Sequence, residues 1–111
     1  MDRSGSVDRG VNRGEIWLTQ VGRKRRPVLV LTRSDVIDVR ALVTVAEVTT
    51  SIRDIAAEVR LEHDAGLDRP SVVNCDGIHT VAQTTLTTRV GSVSEDTMRR
   101  VCSALNYALG C

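Results

Sequence analysis

Aromatic side chains are almost absent from this 111-residue chain, which contains one Trp, one Tyr and no Phe. Modules that bind nucleic acid by stacking bases need several aromatic faces, so this class of protein is disfavoured. The apolar fraction is nevertheless 41%, which is ordinary for a globular protein. We therefore predict one compact domain whose core is built from Val, Leu, Ile and Ala.

Cysteines and long apolar runs are also scarce. The three cysteines, Cys75, Cys102 and Cys111, are an odd number and form no Cys-x-x-Cys pair. This pattern is typical of a reducing, cytoplasmic environment rather than of a disulfide framework. No apolar run approaches membrane-spanning length, and residues 1–12 lack the apolar segment of a signal peptide. We expect residues 1–12 to form a disordered tail ahead of a single domain at 13–111.

Several enzyme motifs are missing as well. The chain has no Gly-x-Ser-x-Gly nucleophile turn, no Walker loop and no glycine-rich dinucleotide-binding run. Its two histidines, His63 and His79, are too few and too scattered for most metal sites. Cys75 lies four residues before His79, but nothing completes a tetrahedral set of ligands. The sequence therefore predicts neither a metal nor a cofactor.

Short strands dominate the pattern that is present. Apolar and alternating segments predict strands at 15–19, 28–32, 41–48, 57–62, 72–74, 78–81 and 86–90. Asp76-Gly77 is typical of a turn between two of them, and Gly91 of a bulge. A helix follows between an N-cap at Ser94 and Gly110, with Cys102 on its apolar face as a core residue. The fold class is α+β, mostly β: a small antiparallel barrel with a C-terminal helix.

Charge is balanced in total but clustered along the chain. The formal net charge is +1, yet Arg23-Lys24-Arg25-Arg26 places four cations in a row. We expect this cluster to lie in a loop, with Pro27 as the first residue of the following strand. Such a cluster permits an anionic partner, and a solvated loop is the alternative.

Arg26 and Thr49 are the candidate catalytic pair. Arg26 precedes one apolar strand and Thr49 ends the next, so the two can face each other across a sheet. Cleavage of RNA without a metal requires stabilisation of a phosphorane charge, which an arginine and a hydroxyl donor can supply. Because the pKa of arginine stays above about 12, we assign Arg26 an electrostatic role rather than that of a base. A surface ion pair with an acid is the alternative interpretation of Arg26.

A second polar group of residues lies at 74–80. Asn74, Asp76 and His79 offer donors and acceptors for base edges, although capping side chains of a plain β-turn would look the same. Ser51 and Arg53 follow Thr49 and either contact phosphates or are solvated loop residues.

Four segments, taken in order, are similar to those of one known family. They are Arg13-Gly14-Glu15-Ile16-Trp17, Arg26-Pro27-Val28-Leu29-Val30, Val48-Thr49-Thr50 and Val73-Asn74-Cys75-Asp76-Gly77-Ile78-His79-Thr80. Their order and spacing, from about Arg13 to Leu109, resemble the MazF/PemK family of toxin endoribonucleases from type II toxin–antitoxin systems. The stretch 20–25 departs from the family, since it is short and basic where many members carry a longer loop.

This resemblance implies an SH3-like β-barrel homodimer that cuts single-stranded RNA at short sequences without a metal. The implied products are 2′,3′-cyclic phosphate and 5′-hydroxyl ends, with Arg26 and Thr49 as the catalytic arginine and threonine. It also implies a MazE-like antitoxin that binds over the active face and blocks it. The residues that we expect to contact RNA are Lys24, Arg25, Thr50, Ser51, Asn74, Asp76 and His79.

Two other functions remain open at this point. One is a gyrase-binding toxin of the same fold, which would resemble CcdB and lack ribonuclease activity. That relative relies on a tryptophan near its C-terminal end, whereas this chain ends Ala108-Leu109-Gly110-Cys111. The other is a homologue that binds RNA or sequesters antitoxin without cleavage.

Overall fold

The computed structural model describes residues 10–21, 23–37, 41–61 and 65–111. In chain order the elements are β1 (Glu15–Val21), β2 (Lys24–Val30), α1 (Ser34–Ile37), β3 (Leu42–Thr49), β4 (Glu58–Arg60), β5 (Val72–Ala82), β6 (Leu86–Ser92) and α2 (Glu95–Leu109). A 3₁₀ turn at Gln83–Thr85 joins β5 to β6. His63 and residues 1–9 of the predicted tail lie outside the described residues.

The six strands form one antiparallel sheet in the order β4-β5-β3-β2-β1-β6. Its two ends approach each other, because the segment after β4 packs against β6. A Cβ on Gly91 would lie 2.0 Å from the Ala65 carbonyl oxygen, and one on Gly66 would lie 2.3 Å from that of Val90. Glycine at both positions therefore lets the backbone at 65–66 contact the backbone at 90–91, which joins the two ends of the curved sheet. The predicted fold, a small mostly-β barrel with a C-terminal helix, is confirmed.

The two faces of the sheet carry separate cores because successive strand residues point to opposite sides. The helix-side core packs under α2 and consists of Ile16, Leu29, Leu31, Ala46, Val48, Val59, Ala65, Val73, Cys75, Val101 and Ala104. The far-side core consists of Val11, Trp17, Val28, Val30, Ile37, Val43, Val45 and Leu86. Small aliphatic residues fill both cores as predicted, with Trp17 as the aromatic exception. Val11, which the sequence analysis assigns to the tail, is 5% exposed and belongs to the far-side core.

The opening motif of the chain forms a polar network around the buried carboxylate of Glu15. The carboxylate of Glu15 accepts hydrogen bonds from the Asn12 N–H at 2.8 Å and from the indole N–H of Trp17 at 3.0 Å. It also pairs with the guanidinium of Arg89 at 3.3 Å. Arg13 donates to the Leu31 carbonyl oxygen. These contacts tie the start of β1 to β2 and β6, so the motif is structural.

Helix α2 has the caps that the sequence predicts. The Ser94 hydroxyl accepts the Thr97 N–H at 3.1 Å, and Gly110 ends the helix in the left-handed conformation with φ 73°. The buried face of α2 is formed by Thr97, Val101 and Ala104. Neither helix in the described residues has the length and apolar run needed to cross a bilayer.

The prediction that Cys102 fills the core is wrong. Cys102 follows Val101, so it is rotated by about 100° around the helix axis and faces outward. Its side chain is exposed, and the thiol sulfur accepts a hydrogen bond from the Arg13 guanidinium at 3.2 Å. Leu109 is also 64% exposed, because the buried stripe ends earlier on α2.

The predicted turn at Asp76-Gly77 is also wrong. Residues 72–74 and 78–82 both pair with β3, so they belong to the single strand β5. Asn74 is opposite Glu47, and Ile78 is opposite the neighbouring Ala46. Cys75, Asp76 and Gly77 are therefore extra residues in a bulge, which keeps the ladder but changes which face the following side chains occupy.

Three of the four residues of the basic cluster lie in a strand and not in the predicted loop, while Arg23 lies in the turn before it. The β1–β2 ladder extends to the pair Val21 and Lys24. Lys24, Arg25 and Arg26 are therefore strand residues, and Pro27 is the fourth residue of β2 rather than its first. Proline is tolerated there because β2 pairs with β3 only from Val28 onward.

Candidate active site

Arg26 and Thr49 lie just beyond the end of the β2–β3 ladder. The last paired residues are Val28 and Glu47. Continuing the same antiparallel register by two residues brings Arg26 opposite Thr49. Both residues line one cavity of about 250 Å³. The two side chains that the sequence places across a sheet therefore border the same space.

Two adjoining cavities form a trough around this pair. The Arg26 cavity is lined by Arg26, Pro27, Glu47, Val48, Thr49, Ser51, Arg53 and Asn74. The basic cavity, of about 290 Å³, is lined by Lys24, Arg25, Arg26, Pro27, Val48, Thr49, Thr50, Leu67, Asp68, Arg69 and Ser71. The cavities share Arg26 and Thr49, so an extended ligand can occupy both. A wider groove of about 540 Å³ lies between β4 and α2, and none of the predicted site residues lines it.

The strand faces explain why polar side chains meet in this trough. On β3, Glu47 and Thr49 continue the face that carries Val43 and Val45 in the far-side core. On β2, Arg26 is on the same face as Val28 and Val30 of that core. The far-side face is therefore apolar along one part of these strands and polar at their end.

The guanidinium of Arg26 is available to an anion. Within the described part of the chain, the side chain of Arg26 is exposed and has no hydrogen-bond or ion-pair partner. The expected alternative, a surface ion pair with an acid, is not found among the described residues. Lys24, Arg25, Arg53 and Arg69 add further positive charge to the walls of the trough.

The hydroxyl of Thr49 is oriented by a local hydrogen bond. Its Oγ1 accepts the backbone N–H of Ser51 at 3.0 Å. Because that bond uses a lone pair of the oxygen, the hydroxyl proton can still be donated to a ligand. Thr49 is half-buried, whereas Thr50 and Ser51 are exposed.

A buried carboxylate fixes the loop that follows β3. Glu58 accepts the backbone N–H groups of Arg53 at 2.9 Å and Asp54 at 3.0 Å, and it pairs with the Arg53 Nε at 3.0 Å. Asp54 adopts a left-handed φ of 57° inside this clamp. Desolvation raises the pKa of Glu58, but the hydrogen bonds and charge of Arg53 and the Asp54 N–H outweigh it and lower the pKa below its ordinary value. The clamp therefore orders Arg53, which lines the Arg26 cavity.

Glu47 is a cavity residue that the sequence analysis missed. Its Oε2 lies 2.5 Å from Nε2 of His79, which pairs with the neighbouring Val45 across the β3–β5 ladder. The bulge in β5 leaves His79 on the same face as Glu47. A signal was present in the sequence, because an acid inside the apolar run 42–48 has the same strand parity as Thr49.

The predicted residue Asp76 and the neighbouring Cys75, which the sequence analysis considered and rejected as a metal ligand, have different surroundings. Asp76 is exposed in the bulge, where its N–H bonds the Asn74 side chain at 3.1 Å, and it lines neither cavity. Cys75 is fully buried in the helix-side core, whereas His79 is opposite Val45 of the far-side core. Burial, with the nearby Asp76 and Cys102, raises the pKa of the Cys75 thiol to about 11. Among the described residues there is no group of three or more potential metal ligands.

The trough thus collects most of the predicted site residues. Those that line it are Lys24, Arg25, Arg26, Thr49, Thr50, Ser51 and Asn74. His79 contacts it through Glu47, and Asp76 lies outside it. The arrangement can bind an extended polyanion and present one arginine and one hydroxyl to a single phosphate.

Two proteins described as probable MazF endoribonucleases are similar in sequence to about nine-tenths of this chain. A probable endoribonuclease MazF5 of Mycobacterium tuberculosis (strain ATCC 25618 / H37Rv) is 39% identical over 103 residues, covering 89% of this chain and 93% of that protein. A probable endoribonuclease MazF2 of Mycobacterium tuberculosis (strain CDC 1551 / Oshkosh) is 33% identical over 102 residues, which cover 91% of this chain and 100% of that protein.

Solved structures have the same fold. An endoribonuclease in complex with its cognate antitoxin, from a mycobacterial species, superposes with a TM-score of 0.84 at 28% identity and covers 90% of this chain and 95% of that one. The Mycobacterium tuberculosis toxin MazF-mt6 gives a TM-score of 0.81 at 35% identity, and the match covers 86% of this chain and 96% of that one. The family model described as the PemK-like, MazF-like toxin of type II toxin–antitoxin systems matches residues 12–109. The resemblance found in the sequence is therefore confirmed, and this chain belongs to the PemK-like, MazF-like toxin family.

Proposed function

We propose that this toxin is a metal-independent, sequence-specific endoribonuclease that cuts single-stranded RNA to 2′,3′-cyclic phosphate and 5′-hydroxyl ends. The observation that carries the proposal is the unpaired Arg26 guanidinium opposite Thr49 in one cavity of a cationic trough. The relatives named as endoribonucleases support it. Destruction of RNA in the cytoplasm would inhibit translation and growth, which is how we expect the toxin to act.

In the reaction we assign charge stabilisation to Arg26 and Thr49. A guanidinium donates paired hydrogen bonds to phosphate oxygens and keeps its charge at all relevant pH values. The Thr49 hydroxyl adds a donor whose direction is set by the bond from the Ser51 N–H. The Thr49 hydroxyl is oriented before the substrate arrives, which is what electrostatic stabilisation of a transition state requires, and the exposed Arg26 guanidinium is free to bond the phosphate.

The remaining trough residues are assigned to RNA binding. Lys24, Arg25 and Thr50 line the basic cavity, where they can contact phosphates on one side of the cut. Ser51 and Asn74 line the Arg26 cavity, where amide and hydroxyl groups can read base edges. His79 and Asp76 lie next to this region on β5, and we assign them to the outer part of the RNA contact.

We also propose two protein partners. One is a MazE-like antitoxin whose acidic or extended segment covers the trough; a solved relative is an endoribonuclease bound to its cognate antitoxin. The other is a second copy of this chain, in a homodimer. Light scattering should give twice the mass of one chain at micromolar concentration, and a purely monomeric species would contradict the dimer.

The test is cleavage of a long, mixed-sequence RNA in EDTA by wild type, Arg26→Ala and Thr49→Ala, with mapping of the ends. We expect discrete cuts with 5′-hydroxyl ends, and a loss of about 10²-fold or more for Arg26→Ala. Thr49→Ala should lose less, because a hydroxyl is a weaker donor than a guanidinium. Arg99→Ala is the matched control, since Arg99 is an exposed arginine of α2 that lines neither trough cavity.

Near-normal cleavage by Arg26→Ala would refute the assignment of the site. If folded wild type leaves RNA intact, gyrase inhibition would be measured next, since that is the activity of the CcdB-like alternative. No relative or structure named above supports that alternative. Binding of RNA without cleavage would favour an inactive homologue.

A further inference from the structure

The Arg26 cavity contains a carboxylate to which the proposed function assigns no role. Among the described residues that line this cavity, Glu47 is the sole acid, beside the cations Arg26 and Arg53. Its side chain is 43% exposed, so it is accessible to a ligand. An acid beside bound phosphates weakens binding of a polyanion. Its place in the Arg26 cavity therefore needs another explanation.

The proposed reaction lacks a proton acceptor. Attack by the ribose 2′-hydroxyl requires removal of its proton, and neither Arg26 nor Thr49 can accept it readily. Arginine keeps its proton in proteins, and a threonine hydroxyl is a very weak base. A carboxylate within reach of the reacting phosphate is a common solution to this problem.

The surroundings of Glu47 hold its carboxylate in one place. Nε2 of His79 is 2.5 Å from Oε2, which anchors one oxygen from the neighbouring strand. Gly77 lies under the other oxygen: a Cβ there would be 2.9 Å from both Cδ and Oε1 of Glu47. It would also be 3.2 Å from the side-chain nitrogen of Asn74. A surface glutamate that serves only solubility needs no such support.

The other acids near the trough are less suitable. Glu58 is 2% exposed, and its oxygens are occupied by Arg53 and the Asp54 N–H. Asp76 lines neither cavity. Asp68 borders the basic cavity, but within the described residues no hydrogen bond holds its carboxylate.

We propose that Glu47 is the general base of this nuclease and that His79 is its positioning residue; this inference rests on the proposed function. The 2′-hydroxyl gives its proton to the Glu47 carboxylate as its oxygen forms the bond to phosphorus. The P–O5′ bond breaks, and the departing 5′-oxygen takes a proton from water. The resulting hydroxide is neutralised by the proton that Glu47 has accepted. Arg26 and Thr49 hold the charge on the phosphate throughout.

The experiment separates binding from cleavage on a short RNA that contains a cut mapped with wild type. Cleavage is measured by single-turnover kinetics, and binding is measured with the same RNA carrying 2′-O-methyl groups, which cannot react. Glu47→Gln should cleave about 10²-fold to 10⁴-fold more slowly while binding as well as wild type or better. Asp96→Asn is the control for loss of one negative charge, because Asp96 is an exposed acid of α2.

Chemical rescue distinguishes a base from a structural residue. Added formate should raise the cleavage rate of Glu47→Ala in proportion to its concentration, and it should not rescue Arg26→Ala. His79→Ala should cleave about ten-fold more slowly or worse because the carboxylate is misplaced. His79→Gln should restore most of the rate, since its amide can donate to Oε2 in place of the imidazole.

Each other outcome has a definite meaning. If wild type cuts and Arg26→Ala does not, but Glu47→Gln cuts within three-fold of wild type, the base assignment is overturned and the nuclease remains. If Asp68→Asn loses the rate instead, the base is Asp68 and our assignment is equally overturned. If wild type cuts no RNA, the proposed function itself fails, and the inference fails with it.

Discussion

At the scale of single residues, Gly77 keeps room for the Glu47 carboxylate. The nearest atoms to a Cβ at this position belong to the side chains of Glu47 and Asn74, not to the backbone. Gly77 is not among the glycines with positive φ, so its backbone conformation is open to other residues. An added methyl group would therefore displace side chains of the site and leave the strand in place.

We predict that Gly77→Ala reduces cleavage by about ten-fold or more while changing the thermal midpoint little, because a small misplacement of a catalytic group is costly. Gly110→Ala is the informative contrast. A Cβ there meets nothing within 4 Å, but its φ of +73° is unfavourable for alanine. That variant should lose about 1 kcal/mol of stability, the cost of the left-handed conformation for an L-residue, and keep full activity. Thermal melts and cleavage rates of both variants test the prediction, and the reverse pattern would contradict it.

At the scale of structural elements, the loop between β3 and β4 depends on one buried acid. The Glu58 carboxylate bonds the backbone of Arg53 and Asp54 and the Arg53 side chain. Its pKa is lowered in the folded protein. The folded state therefore binds the proton of Glu58 less tightly than the unfolded chain does. The clamp contributes its full stability above the ordinary pKa of 4.5 and loses it as the pH falls through the lower folded value.

We predict that Glu58→Gln destabilises the protein at pH 7 and that the difference from wild type shrinks below pH 4.5. The free energy of unfolding, measured by urea titration across this range, is the readout. Asp96→Asn serves as the matched control, because Asp96 forms only exposed ion pairs, which stabilise little. A difference between Glu58→Gln and wild type that is constant with pH would contradict this role of the clamp.

The positions of the strands could be predicted from the sequence, but whether two strand segments form one continuous strand could not. Alternation and β-branched residues located all six strands, and the caps at Ser94 and Gly110 located α2. The sequence predicts a turn at Asp76-Gly77 because the same dipeptide suits a turn and a bulge. Only the pairing of both halves of β5 with β3 distinguishes the bulge from the turn. The basic cluster was misplaced for a similar reason, since the partner of a strand is not visible in its own residues.

The candidate site was predicted in part. Arg26 and Thr49 came from the chemistry of phosphate and from the resemblance, and the strand register brings them together. Glu47 was missed because an acid in an apolar strand looks like a solvent-exposed residue until its neighbours are known. Its contacts with His79 and Gly77 depend on how the bulge aligns β5 with β3.

At the scale of the whole molecule, charge is unevenly distributed although the net charge is only +1. Four cations border the basic cavity, Lys24, Arg25, Arg26 and Arg69, and Asp68 is the one acid among the described residues that line it. Binding of RNA to such a surface releases counterions, so affinity should fall as salt rises. The trough, rather than the protein as a whole, is the cationic partner of RNA.

We predict that replacing both Lys24 and Arg25 by Ala reduces the salt dependence of RNA binding. For single strands each lost phosphate contact lowers the slope of log K against log salt by about 0.7, so the double variant should lose about twice that. Binding of a 2′-O-methyl RNA over a series of salt concentrations is the measurement. The double variant of Arg99 and Arg100 removes the same charge from α2, and its slope should equal that of wild type. An unchanged slope for Lys24 and Arg25 would exclude these phosphate contacts.

Because Trp17 is buried in the far-side core, its intrinsic fluorescence reports on the unfolding of that core. It is the one tryptophan of the chain, and its indole is 5% exposed and bonded to Glu15. The one tyrosine, Tyr107, is 68% exposed on α2, on the other side of the sheet. Tryptophan emission therefore reports on the far-side core, and the circular dichroism of α2 reports on the helix-side core. Coincidence of the two unfolding curves would show that both layers melt as one cooperative unit, without any added label.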